Sequence, residues 1–149
     1  MRILFLCLGN ICRSPTAKGV FRQLARQAGL AATLDSAGTG GWHAGEPPCA
    51  GMQRAALRRG YDLSGLSARQ ISAADFTRFD LILAMDSENL RDAQRLCPKG
   101  APARIEMFLQ TETGTQEVPD PWYSHDFDGC LTIIEAGAKA LLARLQGAQ

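Results

Sequence analysis

Two uninterrupted apolar runs, Ile3-Leu4-Phe5-Leu6 and Leu81-Ile82-Leu83-Ala84, interrupt an otherwise mixed pattern. Each is too short for a buried helix and shows no polar alternation, so each predicts a β-strand covered on both faces. Between and after them the apolar positions recur at helical spacing. Val20, Phe21, Leu24 and Ala28 predict a helix over 15–28 that stops at Gly29. Pro47-Pro48 introduces a second through Met52, Ala56 and Leu57, closed by Gly60. Ser72 to Phe79 holds a short one, and Asp86 or Ser87 caps another carrying Leu90, Ala93 and Leu96, ended by Cys97-Pro98-Lys99-Gly100. The last runs from Phe127 to Leu145 on Leu131, Ile134, Ala138, Leu141 and Leu145. Shorter strands fit Thr33–Ser36 and Ile105–Met107. Gln110 to Asp120 is almost free of apolar residues and reads as a long surface loop. Strands alternating with helices predict an α/β fold, a parallel sheet of about four strands flanked by helices. One domain over 1–149 accommodates all of it, with no repeat or low-complexity tract.

Composition narrows the class without naming a chemistry. At 46% hydrophobic and 21% charged, the chain is ordinary for a globular protein. A formal net charge of +1 gives no reason to expect nucleic acid or an anionic membrane surface as partner. The apolar run after Met1-Arg2 is too short for a secretion signal, and Leu6 rather than a small residue precedes Cys7. Five cysteines with no regular framework fit a reducing, cytoplasmic compartment better than a disulfide scaffold. His43 and His125 lack any clustered ligand spacing, so neither a metal nor another cofactor is expected. Nothing fixes the oligomeric state; a monomer is the default expectation.

The chemistry gathers at Cys7-Leu8-Gly9-Asn10-Ile11-Cys12-Arg13-Ser14, directly after the first strand. Ser14 and Pro15 then look like a helix N-cap and first helical residue. A strand-loop-helix junction aims successive backbone N–H groups and the positive end of a helix into one concavity of phosphate size. A free thiol has a pKa of about 8.5, and helix N-termini, N–H donors and a guanidinium all favour the thiolate. The same field stabilises a phosphoryl group in flight, and the planar fork of Arg13 suits two of its oxygens at once. Ser14 can donate to the sulfur, Gly9 relieves a sharp turn, and Asn10 tolerates a left-handed backbone. No Gly-Lys-Ser/Thr follows, which excludes a nucleotide-binding Walker loop. The glycines at Gly38, Gly40 and Gly41 lack dinucleotide-loop spacing and read as a flexible connection.

The stretch Cys7 to Pro15 resembles the signature of the low-molecular-weight protein tyrosine phosphatases, and Asp120-Pro121-Trp122-Tyr123 resembles that family's acid loop. Ala68-Arg69-Gln70-Ile71 and Phe79 to Asp86 are similar to the family too, so the likeness spans nearly the whole chain. It implies metal-independent hydrolysis of phosphotyrosine in proteins through a cysteinyl phosphate. Cys7 and Arg13 would then be catalytic, with Leu8, Gly9, Asn10, Ile11, Cys12 and Ser14 around the phosphate. Trp42, Trp122 and Tyr123 would wall the aromatic ring.

A tyrosine oxygen leaving phosphorus needs a proton. Among the loop aspartates, Asp86 and Asp126 have helix-capping roles in prospect, whereas Asp120 has none and is held extended by Pro121. Asp120 is therefore the expected acid. Arsenate reductases of the same fold need relay cysteines after the second buried strand, where this chain has Met85-Asp86-Ser87-Glu88. Protein arginine phosphatases carry Thr where Ile11 stands. A non-catalytic phosphopeptide-binding module would need neither Cys7 nor Asp120. Two details stay open. Leu66 replaces a His that helps hold the loop Asn in some relatives, which leaves Asn10 to another brace such as Ser36. Cys12 either fills space behind the loop or acts as a redox partner of Cys7 through a disulfide.

Overall fold

Both faces of the sheet are covered, which is why its central strands are apolar without alternation. The computed structural model describes residues 1–111 and 114–147. In chain order it contains β1 (Arg2–Cys7), α1 (Arg13–Gln27), β2 (Thr33–Gly38), α2 (Ala50–Arg58), α3 (Asp75–Arg78) and β3 (Leu81–Ala84). These are followed by α4 (Ser87–Leu96), β4 (Arg104–Met107), β5 (Leu109–Thr111), β6 (Gly114–Gln116), α5 (Pro121–Ser124) and α6 (Phe127–Gly147). The main sheet is four-stranded in the order β2-β1-β3-β4, and all its pairings are parallel. Strand side chains alternate between faces. Ile3, Phe5, Leu81 and Leu83 enter a core shared with α1, α2 and α6, while Leu4, Leu6 and Ile82 pack with Phe76, Phe79 and Ala93. Phe5 anchors the larger core edge-on to Phe108, with ring centroids 5.9 Å apart.

The chain leaves β1 for β2 on one side and β3 lies on the other, so the strand order reverses between β1 and β3. A crevice opens at the carboxyl ends of strands that diverge in this way. Cys7 ends β1 at that crevice, and Asp86 follows β3 into it.

Three local expectations need correction. The segment 110–120 is not all loop: β5 and β6 pair antiparallel, Leu109 opposite Gln116, although Glu112 and Thr113 lie outside the described residues. Helix α1 opens at Arg13 with Cys12 as its N-cap, and no side chain caps it, so Ser14 lies inside the first turn. Gly38 is not part of a flexible connection but ends β2, donating to the Arg69 carbonyl at 2.8 Å and accepting from the Ile71 amide at 2.8 Å.

Gly38 also has a steric reason to be glycine. A Cβ there would lie 2.6 Å from the Leu8 carbonyl oxygen and 3.1 Å from the Asn10 nitrogen, both backbone atoms of the loop after β1. Gly38→Ala is therefore expected to destabilise the protein by about 1–3 kcal/mol, the usual cost of overpacking. A lowered urea midpoint with an unchanged m-value would report it. An unaltered midpoint would mean that the loop yields freely at this contact.

Candidate active site

The loop after β1 is tied to the framework by its carbonyls. Thr39 N donates to Cys7 O at 2.9 Å, Gly40 N to Leu8 O at 2.9 Å, Cys49 N to Ile11 O at 2.8 Å and Thr16 Oγ1 to Cys12 O at 2.6 Å. The amides of Gly9, Ile11 and Cys12 have no acceptor among the described residues. Those of Arg13 and Ser14 open α1, where intrahelical acceptors are missing in principle. Donors left over in this way, with the side-chain cap omitted, form an anion-binding concavity.

At its base lies Cys7, 3% exposed, whose sulfur meets Ser14 Oγ at 3.0 Å and accepts from the Asn10 amide at 3.3 Å. Asn10 Nδ2 donates to Ser14 Oγ at 2.7 Å, which directs the hydroxyl proton onward to the sulfur or to Ala37 O at 3.3 Å. Asn10 has φ 59°, the left-handed conformation expected of it. Its brace is not Ser36. Arg69 N donates to Asn10 Oδ1 at 3.0 Å, while the Arg69 guanidinium grips both oxygens of the buried Asp75 at 2.9 Å each and reaches Asp35 with Nε at 3.0 Å. Leu66 packs against the main core instead.

The Arg13 side chain is buried, 4% exposed. Nη1 donates to Asp86 Oδ2 at 2.7 Å and to the Val118 carbonyl at 3.0 Å, while Nε and Nη2 make no hydrogen bond among the described residues and Arg13 lines the cleft. Burial opposes its charge, but the Cys7 sulfur, Asp86 and Asp120 outweigh that and hold its pKa above the ordinary arginine value. Asp86 was foreseen only as a helix cap. It does cap α4, Oδ1 accepting from Asn89 N at 2.7 Å, and its other oxygen fixes Arg13.

Asp120 also caps a helix, contrary to the expectation that singled it out. It precedes the short α5, and Oδ1 accepts from Trp122 N at 3.0 Å. Its Oδ2 stands 3.7 Å from Arg13 Nη2. What distinguishes it from Asp126, which caps through Gly129 N at 2.9 Å, is that Asp120 lines the cleft. The same cleft is lined by Cys7, Leu8, Gly9, Ile11, Cys12, Arg13, Trp42, Trp122 and Tyr123, so the predicted residues converge except Asn10 and Ser14, which brace the loop from behind. Trp42, Trp122 and Tyr123 are 74%, 52% and 84% exposed and form its rim.

Sequence reasoning missed two neighbours. His43 lines the cleft, pairs through Nδ1 with Glu46 at 2.5 Å and tilts against Trp122 with ring centroids 5.7 Å apart. Its adjacency to Trp42 was the available signal. Cys49 Sγ lies 2.6 Å from Cys12 Sγ, a proximity that nothing in the sequence announces.

A sequence model of the family described as low molecular weight phosphotyrosine protein phosphatase matches residues 2–149. The low molecular weight protein-tyrosine-phosphatase YfkJ of Bacillus subtilis is 41% identical, covering 97% of this chain and 95% of that protein. The low molecular weight phosphotyrosine protein phosphatase of Homo sapiens is 42% identical over 85% of this chain and 82% of its own length. The crystal structure of Bacillus subtilis YfkJ superposes with a TM-score of 0.93 at 40% identity, covering 100% of this chain and 96% of that one. An Entamoeba histolytica protein tyrosine phosphatase with Hepes in its active site does so at 0.91 and 34%, covering 99% and 98%.

The Arg69–Asp75 pair has a pH signature. Burial pushes Asp75 up, but the Arg69 hydrogen bonds, the Ser72 amide and the Arg69 charge prevail and hold its pKa below the usual carboxylate value. A carboxylate depressed on folding stabilises the fold fully above its unfolded pKa of about 3.9 and loses that contribution as pH falls through the folded value. Asp75→Asn is expected to cost about 2–3 kcal/mol at pH 7. It should also flatten the loss of stability below about pH 4, followed by urea unfolding across a pH series. A variant as acid-sensitive as the wild type would place that sensitivity elsewhere.

Proposed function

The chain belongs to the low molecular weight phosphotyrosine protein phosphatase family, and from that premise we propose that Cys7, Arg13 and Asp120 carry its two-step hydrolysis of phosphotyrosine. One observation supports the assignment above others: Cys7, Arg13 and Asp120 line one cleft whose rim is aromatic. The phosphoryl group sits over the loop amides of Gly9, Ile11, Cys12, Arg13 and Ser14. Nε–H and Nη2–H of Arg13 each take one of its oxygens, because Asp86 and Val118 already hold Nη1. The Cys7 thiolate attacks phosphorus in line as Asp120 passes a proton to the departing phenolic oxygen. Water then attacks the cysteinyl phosphate, Asp120 takes its proton, and the Ser14 hydroxyl donates to the sulfur as the S–P bond breaks. No step calls for a metal.

The aryl specificity rests on the apolar Ile11, 9% exposed, with Trp42, Trp122 and Tyr123 flanking the ring. Ile11 offers a guanidino phosphate no hydrogen-bond partner, which disfavours an arginine phosphatase. Cys97 closes α4 away from the cleft, which gives no support to an arsenate-reducing relay. We read 1–149 as one catalytic domain acting on phosphotyrosine proteins as a monomer in the cytoplasm. The five free cysteines accord with a reducing compartment, and among the described residues no helix is long and apolar enough to cross a membrane.

Leaving-group chemistry tests the acid. Asp120→Ala should lower kcat about 10²–10⁴-fold for phosphotyrosine peptides. The deficit should be far smaller for an aryl ester of low leaving-group pKa, which departs without a proton. Equal losses on both would make Asp120 a positioning residue. In the same assay phosphoserine and phosphoarginine are expected to turn over poorly, and a preference for phosphoarginine would overturn the role given to Ile11.

A further inference from the structure

Cys12 and Cys49, 37 positions apart, bring their sulfurs to 2.6 Å. That is inside the contact distance of unbonded sulfur atoms and only about 0.5 Å beyond a covalent S–S bond of about 2.05 Å. Their backbones are joined as well, Cys49 N donating to Ile11 O at 2.8 Å. Each residue is the N-cap of a helix, Cys12 of α1 and Cys49 of α2, and a helix N-terminus favours negative charge on sulfur. The surroundings are small and apolar, with Ile11 and Ala68 packed about the pair.

The two thiols are not equivalent. Cys12 is buried, whereas Cys49 is half-buried and opens on a second cleft lined by Ala50, Gly51, Arg54, Trp122, His125 and Phe127. The pair shares a proton: the hydrogen bond between them pushes Cys12 up and holds Cys49 below the ordinary thiol value. Cys49 is thus the more exposed residue of the two and the one on which the hydrogen bond favours the thiolate. Cys130 differs, a thiol pushed up to about 12 by burial and with no sulfur partner.

We propose that Cys12 and Cys49 form a dithiol site that peroxides convert to a disulfide, a covalent tie between the phosphate-binding loop and α2 that leaves Cys7 a thiol. Cys49 thiolate attacks one oxygen of hydrogen peroxide, the O–O bond breaks, and Cys49 sulfenic acid and hydroxide result. The Cys12 sulfur then attacks the Cys49 sulfur, its proton leaving with the hydroxyl as water. In sum two thiols lose two electrons, one peroxide is reduced and two waters form. A sulfur makes one such bond, so Cys12 held by Cys49 is withdrawn from Cys7. The tie also restrains the unfolded chain and raises its melting temperature.

Mapping the oxidised protein tests this without reference to turnover. The wild type is treated with one equivalent of hydrogen peroxide in saturating inorganic phosphate, alkylated and digested with trypsin. The proposal expects peptide Ile3–Arg13 joined to peptide Gln27–Arg54, with fragmentation placing the link at Cys12 and the alkyl group on Cys7. The link should persist at similar yield in Cys7→Ser and vanish in Cys49→Ser. Oxidised wild type should melt several degrees above the reduced form, and Cys49→Ser should show no such rise. A Cys7–Cys12 link with Cys49 alkylated would overturn the proposal, as would full alkylation of Cys49 with no link.

Discussion

Held at φ 59°, Asn10 occupies a backbone region that costs most side chains on the order of 1–3 kcal/mol. The reversal it makes turns the chain from β1 into α1 within a few residues and brings its own amide to the Cys7 sulfur. The cost is met by its side chain, which donates to Ser14 and accepts from the Arg69 amide. Arg69 in turn is immobilised by Asp75 and Asp35. A line of hydrogen bonds therefore runs from the buried carboxylate at the start of α3, through Arg69, Asn10 and Ser14, to the sulfur. The electrostatics of the cleft depend on that line holding still, because preorganised donors need no reorientation when charge arrives.

The same economy governs the acidic residues. Asp86 uses one oxygen to start α4 and the other to fix Arg13; Asp120 uses one to start α5 and keeps the other within 3.7 Å of the same guanidinium. Capping orients each carboxylate through backbone already fixed by the fold. Arg13 is thereby held through Nη1 by Asp86 and Val118, so little side-chain entropy remains for it to lose.

Much of this was legible in sequence. The two apolar runs identified the central strands because a strand buried on both faces leaves a continuous signal, and the loop chemistry lay in consecutive residues. What escaped depended on contacts distant in sequence. Asn10 finds its brace 59 positions away and Arg13 finds Asp86 after 73, separations at which spacing says nothing. Asp120 lines the cleft, but the ground on which it was singled out as the acid was faulty, since a four-residue helix leaves no periodicity by which to foresee its cap. The β5–β6 pair escaped because polar residues can make a ladder from backbone bonds alone. Cys49 sits after two prolines in what reads as a plain helix start, and only the folded chain brings it to Cys12.

The central claim is that Cys7 carries the phosphoryl group, and rapid acid quench with a radiolabelled phosphotyrosine peptide tests it directly. Within the first turnover, label should appear on the peptide Ile3–Arg13 as an alkali-stable, iodine-labile thiol phosphate assigned by fragmentation to Cys7. Cys7→Ser should show no such label and no turnover while still binding inorganic phosphate. Label on another residue, or steady turnover by Cys7→Ser, would contradict the account.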